Sequence, residues 1–152
     1  MSFEGQQFTY PGSDAEPASL LKMAEQYRLA ADVLLPHGQR RAPITFAPWR
    51  LLAIHAVELH LNALLRARGH SSAAIRGMKH NLAARTEAAI AAGLVLKKRT
   101  AKHLRSLTET REYLIIRYDP ELSTTSQLNR LKATLDEVAD KTAVMINAGN
   151  AA

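Results

Sequence analysis

The chain of 152 residues is 47% hydrophobic and 22% charged, with a formal net charge of +6. This length and balance predict one globular domain with its own hydrophobic core and exclude an intrinsically disordered chain. There is no cysteine, which excludes disulfide bonds, thiolate zinc sites and cysteine nucleophiles and favours a reducing compartment.

The composition and the length of the apolar runs further limit the fold class and the cellular location. Aromatic residues make up only 5% of the chain, which favours helices over a β-sandwich. The first residues include Glu4, Gln6 and Gln7, where a secretory signal would carry an apolar run. The longest apolar run, residues 88–96, is far shorter than a bilayer span. We therefore expect a cytoplasmic protein that makes no membrane contact.

The first two helices follow a polar N-terminal segment. Residues 1–13 read as a flexible arm, and residues 14–148 as a single helical domain. Ser13 or Asp14 is expected to cap a first helix with Pro17 in its first turn, ended by residues 36–38. A second helix is expected from about Pro48 to Arg68, and because it is apolar on more than one side it should be central. Gly69 is expected to end it.

The second half of the chain predicts two short helices and two long ones. Residues 71–79 suggest a short helix or turn, and Asn81 should cap another short helix ended by Gly93. A long helix is expected from about Lys98 to Tyr118, and the last one starts at a cap within residues 123–125 and frays over 149–152. No segment shows strand periodicity. The prediction is an all-α, up-and-down four-helix bundle with one or two additional short helices.

Two charged residues interrupt apolar stripes of the predicted helices. Glu58 shares one helical face with four aliphatic residues between Leu51 and Leu65, and Arg111 interrupts the stripe of the Lys98–Tyr118 helix. A buried carboxylate is costly unless it is paired. We expect a buried Glu58–Arg111 pair that is architectural. The alternative is that Arg111 reaches the surface and a histidine or tyrosine hydroxyl satisfies Glu58.

The sequence motifs do not favour a metal site or a catalytic nucleophile. His55 and His60 flank Glu58 but lie five residues apart, about 140° around a helix, whereas two helical metal ligands need a separation of four. We therefore expect no metal, no cofactor and no catalytic residue, with His55 hydrogen-bonded in the bundle and His60 at the surface or an interface. No glycine-rich phosphate loop and no strand-to-helix serine elbow occur.

The positive charge is concentrated in the middle of the chain. Residues 66–105 hold ten Lys or Arg and a single acid, Glu87, so this block carries +9 and the remainder −3. Such a block can attract nucleic acid or nucleotide phosphates, and it can equally be a solvated basic face.

Four short motifs follow one another along the chain: segment 27–34 in the first helix, segment 55–65 in the second, Gly69 followed by His80-Asn81-Leu82 (80–82), and Ile116-Arg117-Tyr118-Asp119-Pro120 (116–120). Their order and spacing resemble the HEPN family of small bacterial and archaeal helical proteins. The resemblance covers about residues 18–148. It implies a helical bundle, frequent dimerisation, binding of a nucleotide or nucleic acid, and often a nucleotidyltransferase-type protein partner.

The resemblance has two departures that bear on activity. Asn62 stands where many members have lysine, and the proline follows Arg117-Tyr118 one residue late. Ribonuclease members of the family carry an arginine followed four to six residues later by histidine. Here Arg111 is in place, but the histidine position falls on or beside Arg117. Since arginine does not release its proton at physiological pH, it cannot act as the general base.

The resemblance therefore favours a non-catalytic binding module. The candidate ligand-binding residues are Lys79, His80, Asn81, Arg117 and Tyr118. Glu58 and Arg111 are expected to hold the scaffold beneath them. One alternative is a metal-independent, toxin-like endoribonuclease that pairs the arginine at 111 with a displaced histidine such as His80. Another is a purely structural adaptor whose apolar helix faces bind a second chain.

Overall fold

The computed structural model describes residues 10–150 and contains seven α-helices in that range. Their bounds are α1 Pro17–Leu34, α2 Ala47–Ala67, α3 Ser72–Gly77, α4 Leu82–Ala91, α5 Lys98–Glu109, α6 Glu112–Tyr118 and α7 Leu128–Asn150. Two short 3₁₀ turns, Leu35–His37 and Pro43–Phe46, join α1 to α2. No strand occurs between residues 10 and 150, and the predicted all-α four-helix bundle with short additional helices is confirmed. None of the described helices is both long and apolar enough to cross a bilayer.

The central position of α2 is confirmed. It packs against α1, α4, α6 and α7, and it supplies the fully buried Trp49, Leu61, Leu64 and Leu65. A helix that is apolar around most of its circumference has no favourable place at the surface, so its neighbours must surround it.

Helix ends follow local sequence where glycine or asparagine is present. Gly69 has φ +92°, and the backbone N–H of His70 donates to the carbonyl of Leu65, which together form a Schellman motif. Gly93 ends α4 in the same way with φ +110°. Asn81 caps α4 by accepting from the N–H of Ala84 at 2.9 Å, as predicted.

The predicted starts of two helices are wrong. Glu16 occupies the N-cap position of α1 without a side-chain capping hydrogen bond, Pro17 is the first helical residue, and neither Ser13 nor Asp14 provides the cap. Ser13 instead accepts a hydrogen bond at its carbonyl from Ser72 of α3, at 2.6 Å. α7 begins at Leu128, beyond the predicted cap at residues 123–125. Of the predicted arm, residues 1–9 lie outside the described residues, as do residues 151–152 of the predicted tail.

The predicted continuous helix from Lys98 to Tyr118 is broken. It divides into α5 and α6 at Thr110 and Arg111, and Arg111 adopts a left-handed conformation with φ +55°. A continuous helix would place Leu107 and Ile116 on opposite sides, because nine residues at about 100° each bring them half a turn apart. The break turns the chain so that both are buried.

The predicted surface position of His60 is also wrong. It was expected at the surface or an interface, but its ring is 1% exposed inside the bundle. Its Nδ1 lies 3.3 Å from the Thr142 hydroxyl of α7. Because α2 is surrounded on nearly all sides, a position opposite to the Glu58 stripe still faces another helix.

Candidate functional site

Glu58 of α2 is the centre of a cluster of charged and titratable side chains. Its side chain is only 13% exposed, and its Oε1 lies 3.2 Å from Nη2 of Arg85 and 3.5 Å from Nδ1 of His80. Its Oε2 lies 3.6 Å from Nδ1 of His55. Burial raises the pKa of Glu58, but the neighbouring His55 ring and the charge of Arg85 outweigh it and hold that pKa below its usual value. Glu58 is therefore ionised at neutral pH.

The predicted Glu58–Arg111 pair is wrong, and Arg85 takes the role of the cation. Arg111 is exposed at the α5–α6 break. Arg85 is buried on α4, and its Nε donates to Oδ1 of Asn62 at 2.7 Å. Its two terminal nitrogens also lie 3.4 Å from the carbonyls of Ile75 and Asn81. One guanidinium thus joins α2, α3 and α4 beneath the site.

A small depression opens above this cluster. Its apolar part is formed by Leu51, Ile54 and Leu82, and His55 and Glu58 also line it. Three further polar side chains complete the rim: His80, Tyr113 and Arg117. We refer to these three residues as the rim.

The dimensions of the depression limit what it can bind. The His80 side chain is 51% exposed, and its ring centroid lies 5.3 Å from that of Tyr113. The water-accessible volume is about 10 Å³, which is about one water molecule. A nucleotide therefore cannot be enclosed. A larger ligand would lie across the rim and insert a single group, such as one phosphoryl oxygen.

The five predicted ligand-binding residues have different positions. His80 and Arg117 come from separate segments and line the same depression. The Asn81 side chain is used in capping α4. Lys79 is exposed in a left-handed conformation, and Tyr118 is 76% exposed.

Sequence reasoning missed two members of the site. Arg85 belonged to the basic block and gave no sign of being buried. Tyr113 precedes Arg117 by four residues and so shares its helical face, which the predicted helix already implied. His55 was expected to be a bundle histidine, and its Nδ1 lies 3.6 Å from Oε2 of Glu58. With Arg111 exposed, this agrees with the alternative in which a histidine neighbours Glu58.

The helix that carries Tyr113 and Arg117 is held by a buried ion pair. Glu112 of α6 is fully buried, and its Oε2 lies 3.4 Å from Nη1 of Arg50 on α2. Glu112 also accepts from the backbone N–H and the hydroxyl of Ser126. Burial lowers the pKa of Arg50, and the charge of Glu112 opposes that effect. The pair ties the short helix and the loop after it to the centre of the bundle.

The side chains around Glu58 are not placed as metal ligands. Among residues 10–150, no group of three or more His, Asp or Glu is arranged so that it could hold a metal ion. Glu58 is surrounded by two imidazoles and a guanidinium, and the guanidinium places a permanent positive charge against its Oε1. The arrangement suits recognition of an anion, or proton transfer through an imidazole, better than binding of a cation.

Comparisons with protein-family models, with characterised proteins and with solved structures give no match to this chain. The functional argument therefore rests on the chain's own residues.

Proposed function

We propose that the protein is a non-catalytic, HEPN-like helical module that binds the phosphate of a nucleotide or nucleic acid at the rim. The observation that carries the proposal is that His80 and Arg117, from separate segments, line one depression above an ionised Glu58. The charge of Glu58 is matched by buried Arg85. The HEPN assignment itself rests on the order of the sequence motifs.

The charge balance at the rim favours an anionic ligand. Because the charges of Glu58 and Arg85 cancel, Arg117 contributes the net positive charge of the site. No carboxylate of the described residues lies within 4.0 Å of the Arg117 guanidinium. A guanidinium can donate two parallel hydrogen bonds to a phosphate. The exposed ring of neighbouring Tyr118 offers a face on which a base can stack.

Equilibrium binding of ATP and of an RNA oligonucleotide to the Arg117→Gln variant tests the proposal. A charge-assisted hydrogen bond contributes about 1.5–3 kcal/mol, so we expect Kd to rise roughly 10- to 100-fold. Arg40→Gln is the matched control, because it removes the same charge from an exposed turn. Equally weak binding in both variants that vanishes in moderate salt would reject a defined site.

A second candidate function, a metal-independent endoribonuclease, is favoured by one contact. The imidazole of His80 is half-exposed and lies 3.5 Å from an ionised carboxylate, which is the arrangement that orients a histidine as a general base. Arg111 does not line this depression, so Arg117 would be the residue that stabilises the phosphate charge.

RNA cleavage by the purified protein separates this candidate from binding alone. The endoribonuclease predicts cleavage that His80→Ala abolishes and that His37→Ala, at an exposed histidine far along the chain, leaves unchanged. Absence of cleavage by the wild-type protein, or equal cleavage by both variants, would reject it.

We also propose that the module is dimeric or pairs with another protein, such as a nucleotidyltransferase-type partner. Leu29 and Val33 support this, because they are exposed large apolar residues one turn apart on α1. Light scattering should show a mass above that of one chain, and Leu29→Glu/Val33→Glu should reduce it. Val144→Glu on α7 is the control, and a monomer with or without a co-expressed partner would reject the proposal. A protein that assembles but binds no phosphate ligand would be a structural adaptor.

A further inference from the structure

The fold separates the cations of the basic block into paired and free groups. Arg85 is buried against Glu58, and Arg76 lies over the ring of Tyr10 at 4.3 Å. Arg105 pairs with Glu87 at 2.6 Å. Seven cations of the block lie outside these pairs, and three of them follow one another closely in the first half of α5: Lys98, Arg99 and Lys102. We call these three residues the α5 basic face.

The α5 basic face is the solvent side of a strongly amphipathic helix. α5 buries its other side through residues that include His103, Leu104 and Leu107. Lys98 and Lys102 are one turn apart on a common ridge, and Arg99 lies beside them. Among residues 10–150, no carboxylate lies within 4.0 Å of any of the three cations.

The acidic residues of α7 that lie near α5 already have other partners. Arg99 lines an open depression of about 690 Å³ between α5 and α7, which also contains Asp136, Glu137 and Asp140. Glu137 accepts from the backbone at the start of α5, and Asp136 and Asp140 both pair with Arg28. The cations are also placed unfavourably for the helix itself, since the first turns of a helix prefer negative charge. The α5 basic face is therefore not explained by pairing within the fold.

We propose that the α5 basic face binds the phosphate backbone of a polynucleotide, so that the ligand is a nucleic-acid strand and not a single nucleotide. The inference rests on the proposed function for the class of ligand and extends it to a second surface. A row of closely spaced cations without a recognition pocket matches a ligand of regularly repeated negative charge. No large apolar side chain is exposed along α5, and an interfacial membrane helix would need such residues.

The salt dependence of RNA binding tests this inference. The probe is an unstructured single-stranded RNA of about 20 nucleotides, long enough to exceed a typical site of a few to 16 nucleotides. Each phosphate contact contributes about −0.7 to the slope of log K against log salt concentration for single strands. Lys98→Gln/Lys102→Gln should therefore make the slope less steep by about 1.4. If binding at 1 M salt is unchanged, affinity at 0.1 M salt should fall about 25-fold.

The matched control is Lys22→Gln/Arg41→Gln, which removes the same charge from exposed positions elsewhere. Equal losses in the two double variants would overturn the inference, because net charge alone would then explain binding. An unchanged slope in Lys98→Gln/Lys102→Gln would also overturn it. Binding to vesicles of anionic phospholipid without binding to RNA would assign the face to a membrane instead.

Arg117→Gln distinguishes this inference from the proposed function. ATP binding should depend on Arg117 and be unaffected by Lys98→Gln/Lys102→Gln, whereas RNA binding should depend on both surfaces. If only the α5 variant weakens RNA binding and ATP binding is also unaffected by Arg117→Gln, the rim proposal fails and the α5 inference stands. If only Arg117→Gln weakens it, the α5 inference fails and the rim proposal stands.

Discussion

Arg85→Met is the most informative single perturbation of this protein. The substitution keeps a long flexible side chain on α4 but removes the only permanent cation within 4.0 Å of the Glu58 carboxylate among the described residues. It also removes the donors to Oδ1 of Asn62 and to the carbonyls of Ile75 and Asn81. The remaining neighbours of Glu58 are the imidazoles of His55 and His80, neither of which is a permanent cation like the guanidinium.

The structure sets the size of the effect. Removing one partner of a buried ion pair costs about 3–5 kcal/mol, because the other charge stays buried without compensation. For a domain of this size each kcal/mol lowers Tm by about 2–4 °C, so the expected decrease is roughly 6–20 °C. The loss should be larger at pH 8 than near pH 5.5. The charge of Arg85 is one of the causes that lower the pKa of Glu58, so that pKa should be higher in the variant than in the wild type, and the variant's disadvantage should grow as pH increases and Glu58 ionises.

Urea and thermal unfolding, monitored by far-UV circular dichroism, measure this effect. Arg111→Met is the matched control, because it removes an exposed arginine and should change the free energy of unfolding by less than about 0.5 kcal/mol. Glu58→Gln/Arg85→Met should be less destabilised than the sum of its single variants, since the pair is directly coupled. Equal, small effects of the Arg85 and Arg111 variants would refute the reasoning.

Three further predictions concern the core. His60 and His103 are buried, and burial lowers the pKa of each to about 4 from 6.5, so the unfolded state binds more protons between these values. The free energy of unfolding should therefore fall as pH drops from about 6.5 to 4, by up to about 3 kcal/mol per histidine. Urea unfolding measured across this pH range should show a shallower decline for the His103→Gln variant. A pH profile identical to that of the wild type would contradict the prediction. Glu112→Gln should cost about 3–5 kcal/mol in urea unfolding, because it leaves its arginine partner buried without a counter-charge, and a loss below 1 kcal/mol would show that the pair is not buried in solution. Gly38→Ala should destabilise the protein by about 1–3 kcal/mol in thermal unfolding, because a Cβ there would lie 2.6 Å or less from ring atoms of a buried phenylalanine. The control is Gly77→Ala, whose Cβ meets open space and should be nearly neutral or slightly stabilising. Equal effects of the two substitutions would contradict the packing argument.

Local sequence was a good guide to where several helices end. Gly69 and Gly93 were predicted to end α2 and α4, and both have positive φ within Schellman motifs. Asn81 was predicted to cap α4, and its side chain does so. These features depend on hydrogen bonds between residues a few positions apart, so they can be read without knowing the fold.

The candidate site was only partly predictable. Glu58 was identified as a buried charge that needs a partner, and His80 and Arg117 were both selected as ligand-binding residues. The partner was wrong because the stripe containing Arg111 assumed an unbroken helix. The break turns Arg111 to solvent and buries Glu112 in its place.

The sequence by itself determined that the chain is helical, that α2 is central and that Glu58 requires compensation, because periodicity and the cost of burying charge are properties of single segments. Only the tertiary structure decided that Arg85, 27 positions along the chain, supplies the compensation, and that Arg117 meets His80 at one depression. The physical reason is that an ion pair depends on the distance between two side chains. That distance is set by how helices pack, and no segment contains it alone.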